Sequence, residues 1–179
     1  MLKKIGIGVG LLVVLFLALV AMQPSEFTVT RRTQIAAPAA AVFPLVNDFH
    51  AWNLWSPWEK LDTGMKKTFS GAPLGKGSVY EWAGNDKVGS GRMEITDSRE
   101  NTSIAIKLDF ITPFAASNTT TFTFAPKDGG TEVVWAMSGH NNFVSKAFGL
   151  LMNMDKMVGG DFEKGLAEMK KSAEAKPAH

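Results

Sequence analysis

The chain has 179 residues and no cysteine, with 19 lysines and arginines against 17 aspartates and glutamates. The absence of cysteine excludes disulfides, thiolate chemistry and cysteine-based metal sites. Lys3 and Lys4 stand before a long apolar run, and the rest of the chain is neutral, so it lacks the basic surface that nucleic-acid binding requires.

The apolar run occupies residues 5–22, which are all apolar or glycine. As a helix it would be about 27 Å long, close to the thickness of the hydrocarbon core of a bilayer. A cleaved signal peptide is the alternative, but the run exceeds the usual ~7–15 apolar residues and ends without a small-residue cleavage pattern. Because Lys3 and Lys4 keep the N-terminus in the cytoplasm, we expect a single-pass inner-membrane protein with a periplasmic or extracellular domain.

The chain after the predicted anchor is long enough for one domain. Residues 1–25 would form a cytoplasmic stub, the anchor and a linker, and residues 26–175 would form a single domain with its own core. Only residues 23–25 separate the anchor from the first predicted strand, and three extended residues reach about 10 Å. We therefore expect the domain close to the bilayer, and a frayed tail at residues 176–179.

The domain begins with a strand and several short helical pieces. Residues 26–35 alternate between apolar and polar side chains, as in a strand with one covered face, although Arg31 interrupts the apolar side. Residues 39–49, which follow Pro38, indicate a short helix interrupted at Pro44. Three tryptophans lie within residues 49–58, which favours a short helix or turn laid against a sheet.

Between residues 65 and 139, apolar residues recur at every second position. Alternation with turn residues between the segments predicts strands at residues 65–69, 78–82, 89–98, 103–110 and 118–125, and one more after a hairpin turn at residues 127–130. The strands would form an antiparallel meander with one apolar face.

Beyond residue 142 the period becomes helical. Residues 143–151 indicate a short helix. After it, apolar residues recur at steps of three and four from Met154 to Met169, which predicts a long amphipathic C-terminal helix. The pair Gly159 and Gly160 suggests a bend or a loosened turn within it.

This order of elements is that of the helix-grip fold, and three segments resemble a known superfamily. Residues 55–62 (WSPWEKLD), 80–95 (YEWAGNDKVGSGRMEI) and 152–174 (MNMDKMVGGDFEKGLAEMKKSAE) resemble the SRPBCC superfamily, in its polyketide cyclase/dehydrase-like and START-like lipid-transport branch. The resemblance covers nearly all of residues 26–174. It implies an α+β fold in which a curved antiparallel sheet wraps around a long C-terminal helix. It does not imply one chemistry, because lipid carriers, hormone receptors, cyclases and hydratases share this scaffold.

A strongly curved sheet cannot lie flat against one helix, so a groove or tunnel is expected between them. The residues predicted to line it are Tyr80, Trp82, Met93, Leu108, Phe110, Phe122, Trp135 and Met137 on the sheet, and Met154, Met157, Val158 and Phe162 on the helix. Methionine is flexible and polarizable, which suits an adaptable apolar ligand. The alternative interpretation is that the same side chains fill a solid core.

Evidence for catalysis is weak. Tyr80, the only tyrosine, could hold a ligand carbonyl, and His140 with a carboxylate could form an acid–base pair. Both also have structural interpretations, Tyr80 as a packed residue and His140 as part of a surface loop. Asp155, Asp161 and Glu163 have no accompanying histidine, so we expect neither a metal site nor a cofactor.

Three functions remain in competition. The preferred one is a membrane-anchored carrier or receptor for a hydrophobic small molecule such as a lipid, without covalent chemistry. The second is an enzyme of the cyclase or hydratase kind that uses the same cavity. The third is an interaction module in which Trp52, Trp55 and Trp58 form an exposed patch for a protein partner or for the bilayer interface.

Overall fold

Seven strands and seven helical segments make up the part of the chain that the structure describes. The structure, a computed structural model, describes residues 2–151 and 153–175, with side chains for residues 6–150, 153 and 155–175. The strands are β1 (Glu26–Ile35), β2 (Lys66–Gly71), β3 (Ser78–Ala83), β4 (Ser90–Arg99), β5 (Ser103–Thr112), β6 (Ala116–Lys127) and β7 (Gly130–His140). The helices are α1 (Leu2–Met22), α2 (Ala39–Val42), α3 (Pro44–Asn47), two 3₁₀ helices (Phe49–Leu54 and Pro57–Lys60), α4 (Phe143–Leu151) and α5 (Met154–Glu174).

The strands form one antiparallel sheet in the order β1-β7-β6-β5-β4-β3-β2. Six strands follow one another as a meander, and β1, the first in the chain, pairs with β7, the last. Two register shifts in β4 bend the sheet, as β-bulges do. α5 packs against β1. The predicted α+β helix-grip architecture, a curved sheet with a long C-terminal helix, is confirmed.

α1 includes the whole predicted membrane segment, residues 5–22. Within the described part of the chain, no helix combines the length and the apolar character needed to cross a membrane. The predicted anchor begins at Ile5, whose side chain lies outside the described residues, and the anchor stays a prediction. The frayed tail predicted at residues 176–179 also lies outside the described residues.

Stacked aromatic side chains fill the space over the middle of the concave face of the sheet. Phe122 and Trp135 are register partners on β6 and β7, with ring centroids 4.9 Å apart. Phe162 of α5 stacks on Trp135 at 3.9 Å, with the ring planes 7° apart. All three side chains are almost completely buried. The core therefore lies where α5 crosses β6 and β7.

Two glycines allow α5 to approach the sheet this closely. A Cβ at Gly165 would lie 3.0 Å from Cζ3 of Trp135, and a Cβ at Gly159 would overlap the guanidinium of Arg31. α5 is continuous through Gly159 and Gly160, so the loosened turn suggested by the sequence does not form. Gly159 and Gly165 serve packing rather than flexibility.

Arg31, which interrupts the apolar side of β1, is directed toward α5, and its side chain is 22% exposed. Its Nε donates to Oε1 of Glu163 at 2.6 Å, and its Nη1 and Nη2 donate to the Asp155 carboxylate at 3.1 Å. The hydrogen bond from Arg31 lowers the pKa of the Asp155 carboxyl below its ordinary value. A charged residue on the covered side of β1 thus joins the first strand to the first turns of the last helix.

Candidate functional site

The predicted patch of exposed tryptophans does not exist. Trp52 and Trp55 are 3% and 0% exposed, and Trp58 is half-buried against Trp135. The indole N–H of Trp55 donates to the backbone carbonyl of Leu45 at 2.7 Å, and that of Trp52 donates to the carbonyl of Val46 at 3.1 Å. Because these acceptors lie inside the domain, both rings are buried at no hydrogen-bonding cost.

Six of the predicted lining residues belong to the packed core: Tyr80, Met93, Phe122, Trp135, Met137 and Phe162. Phe122, Trp135 and Phe162 fill the centre of the concave face, and Met137 is buried beside them at 6% exposure. At this part of the face the structure supports the solid-core alternative. The expected groove between the sheet and α5 therefore does not extend through this part of the concave face.

Other predicted lining residues lie at one end of the concave face and are incompletely covered. Trp82, Leu108, Phe110 and Val158 are half-buried, and so is Phe27, which the sequence analysis did not include. These five residues are called the open end below. The rings of Trp82 and Phe110 are 6.0 Å apart.

Three more methionines were predicted to line the groove, and the two whose side chains are described differ in how far they are buried. Met93 is buried as the register partner of Leu108 and of Tyr80. Met157 is 46% exposed, so its placement in the interior of a groove was wrong. The side chain of Met154 lies outside the described residues. The physical reason for the exposure of Met157 is its position beside, rather than within, the apolar stripe of α5.

A polar cluster next to the open end was missed by the sequence analysis. The hydroxyl of Tyr80 donates to Oε1 of Glu59 at 2.8 Å, and Lys67 of β2 pairs with the other oxygen of the same carboxylate. The Glu59 side chain is only 8% exposed. One signal could have revealed it: Lys67 has the same parity as the apolar residues Met65 and Phe69, and a lysine on the apolar side of a strand calls for an acceptor.

The cluster keeps Tyr80 protonated. Burial raises the pKa of the Tyr80 hydroxyl above its ordinary value of 10.0, and the hydrogen bond to the Glu59 carboxylate raises it further. Tyr80 is therefore a hydrogen-bond donor at neutral pH and not a base.

We expect the folded protein to lose stability as the pH rises above 10.0, the ordinary tyrosine value, because Tyr80 ionises there only in the unfolded chain. Since the chain has a single tyrosine, the ultraviolet absorbance of tyrosinate reports this group alone. The signal should appear only on unfolding. Tyr80→Phe should remove this part of the pH dependence in denaturant titrations, and tyrosinate formation in the folded protein near pH 10.0 would contradict the assignment.

His140 does not join this cluster. It is the last residue of β7, its side chain is 82% exposed, and its Nε2 lies 3.4 Å from Oε1 of Glu26. Three strands separate β7 from β3, which carries Tyr80. The two weak catalytic candidates are therefore far apart in the sheet. Among the described side chains, no group of three or more His, Asp or Glu could hold a metal ion.

Comparison with known proteins adds a family and a set of related folds. Residues 26–174 match the profile of the family described as polyketide cyclase / dehydrase and lipid transport. No curated protein sequence matches the chain closely enough to count as a relative.

Solved structures share the fold at low sequence identity. A protein from Thermobifida fusca, solved by NMR, is 23% identical with a TM-score of 0.62, over 85% of this chain and 97% of that one. Protein MLL2253 from Mesorhizobium loti is 18% identical with a TM-score of 0.61, over 85% and 100% of the two chains. DynU16, from the dynemicin biosynthetic locus, is 12% identical with a TM-score of 0.58, over 86% of this chain and 48% of that one. Likeness at these identities shows the fold alone.

Proposed function

The chain belongs to the polyketide cyclase/dehydrase and lipid transport family of the SRPBCC superfamily, and we propose that it binds or carries a hydrophobic small molecule. The ligand, lipid-like in character, lies against the open end of the concave face. The observation that carries the proposal is the incomplete burial of Phe27, Leu108, Phe110 and Val158 beside a fully packed core.

The open end has the chemistry that such a ligand requires. Its five side chains are apolar, and they continue the buried core without an intervening charged residue on β5, where Leu108 and Phe110 follow Ile104 and Ile106 along the covered face. Covering apolar surface is worth roughly 25 cal/mol per Å². An apolar ligand therefore gains free energy by completing the core at this end.

The second part of the proposal is that α1 anchors the protein in the inner membrane, with the domain on the periplasmic or extracellular side. Ten large apolar side chains of α1 are between 42% and 67% exposed: Ile7, Val9, Leu11, Leu12, Val13, Val14, Leu15, Phe16, Leu17 and Leu19. Apolar surface on all sides of a helix is typical of contact with lipid. Lys3 and Lys4 support the orientation.

The binding site is tested with Leu108→Asp. A carboxylate among the apolar side chains of the open end should weaken binding of Nile red, a neutral probe whose fluorescence rises in apolar surroundings, by at least about tenfold, or ~1.4 kcal/mol. Thr119→Asp is the matched control, because it adds the same charge on the exposed face of the neighbouring strand β6. Fluorescence titrations use residues 24–179, since the related structures consist almost wholly of this domain.

Circular dichroism melts establish that both variants are folded. Equal affinity of Leu108→Asp and Thr119→Asp for Nile red would show that the ligand does not bind at the open end. Absence of Nile red binding to the unaltered domain would contradict the carrier function itself.

A cyclase-like or hydratase-like enzyme is the second candidate. The observation that favours it is the Tyr80–Glu59–Lys67 cluster beside the open end, where a protonated hydroxyl lies near an apolar surface. The Tyr80 hydroxyl already donates to Glu59, and His140 lies on a distant strand. Binding without covalent chemistry is therefore the preferred proposal.

A further inference from the structure

Five exposed apolar side chains lie outside the proposed binding site, at one end of the sheet and on α4. Ile111 at the end of β5, Phe114 in the β5–β6 connection, and Phe143, Val144 and Phe148 of α4 are between 44% and 61% exposed. The rings of Phe114 and Phe148 are 5.9 Å apart, which joins the connection to the helix. These five residues are called the apolar patch below.

The apolar patch lies at the end of the sheet where α1 leaves the domain. Glu26, the first residue of β1, is opposite His140, and the β5–β6 connection is at the same end, since Phe110 is opposite Ala116. α4 packs directly against α1, and Val20 near the end of α1 is completely buried. The patch and the exposed side chains of α1 are thus neighbours.

The segment between α1 and the domain is held in place rather than free. The backbone carbonyl of Ser25 accepts from the backbone N–H of Asn141 at 2.8 Å, and its hydroxyl accepts from Nζ of Lys146 at 2.9 Å. The side chain of Asn141 also donates to the carbonyl of Pro24 at 3.2 Å. These bonds fix the direction in which α1 leaves the domain, and with it the position of the apolar patch relative to α1.

We infer that the apolar patch inserts into the surface of the bilayer that holds α1. The inference rests on the anchor of the proposed function, and its occupant is lipid, because the patch continues the apolar surface of α1. α4 (FVSKAFGLL) carries no acidic residue that would be repelled by anionic headgroups or cost free energy on desolvation. Exposed apolar patches of this kind mark interaction sites.

This placement has a consequence for the ligand. Phe110 and Ile111 are successive residues of β5 and point to opposite faces, but both lie at the end of the sheet where β5 connects to β6. With the patch in the bilayer surface, the open end lies next to lipid, so a lipid-like ligand reaches the concave face from the membrane without crossing water.

The chain contains no cysteine, so single-cysteine variants of the full chain can each carry one nitrobenzoxadiazole label. Ile111→Cys and Val144→Cys report on the apolar patch, and Leu12→Cys reports on the anchor. Glu100→Cys, in the exposed turn between β4 and β5, is the control at the opposite end of the sheet, since Ser103 and Ile111 are eight strand residues, or about 26 Å, apart. Each labelled protein is reconstituted in phospholipid nanodiscs with and without doxyl-labelled lipid.

We expect doxyl lipid to quench the labels at residues 111, 144 and 12 and to leave the label at residue 100 unchanged. Quenching at residue 12 with none at 111 and 144 would overturn the inference and leave the anchor standing. No quenching at residue 12 would contradict the anchor, and the inference with it. Apolar emission at 111 and 144 without lipid quenching, together with cross-linking between copies, would assign the patch to a second copy of the chain and overturn the inference.

Discussion

Trp135→Ala is expected to lower the free energy of unfolding by about 3–5 kcal/mol. Trp135 is 2% exposed, stacks on Phe162 at 3.9 Å and on Phe122 at 4.9 Å, and meets Trp55 edge-on. Its Nε1–H has no acceptor among the described residues, so the substitution breaks no hydrogen bond there. The loss would therefore measure packing, and a void would remain because the neighbouring rings cannot move into it together.

Denaturant titrations followed by circular dichroism measure this loss. Phe122→Ala should lose a similar free energy, since Phe122 is completely buried in the same stack. Phe143→Ala is the control, because Phe143 is 53% exposed and should change stability by less than about 0.5 kcal/mol. A loss well below 3 kcal/mol at Trp135 would show that the groove extends into the centre of the concave face.

Gly165→Val is expected to destabilise the domain by about 1–3 kcal/mol or more through overpacking. A Cβ at this position would lie 3.0 Å from Cζ3 of Trp135 and 3.1 Å from Cδ of Pro57. Neither neighbour can yield easily, because Trp135 is held between two stacked rings and Pro57 is a cyclic residue at the start of a 3₁₀ helix. α5 would have to move away from the sheet.

The matched control for this substitution lies five residues earlier in the same helix. A Cβ at Gly160 meets no atom within 4 Å, so Gly160→Val tests the effect of valine on helix formation alone, which is a few tenths of a kcal/mol. Thermal melts of the two variants should differ clearly. Equal melting temperatures would mean that α5 does not depend on close contact at Gly165.

The alternation of apolar and polar residues was sufficient to predict the strands, because one face of the curved sheet is covered by the rest of the domain and the other is exposed to solvent. The burial pattern of β7 alternates strictly from Thr131 to Met137, and the predicted segment after the turn at 127–130 falls within it. What alternation could not show is which part of the covered face is filled. That depends on Gly165 and on the distance between α5 and Trp135, and neither can be obtained from the period of a pattern.

The polar contacts were harder to predict for a related reason. Trp55 is buried because a carbonyl at Leu45 accepts its N–H, and Tyr80 is paired with Glu59 across 21 residues of chain. A sequence shows the donors but not the acceptors that folding brings to them. The three tryptophans therefore left two interpretations open, a short helix or turn laid against the sheet and an exposed patch, and the structure shows the first.

The pairing of β1 with β7 sets the order in which the domain can form. β1 is synthesised first, but Glu26 lies opposite His140, so the strand has no partner until nearly the whole sheet has followed it. Pairing over such a sequence separation is slow, since the chain entropy of closing the loop is lost before any contact is gained. α5, which covers the concave face, comes later still. A chain that ends before Met154 would expose Trp135 and Phe122 on an uncovered sheet, and we expect it to aggregate or be degraded rather than to persist as a smaller stable domain.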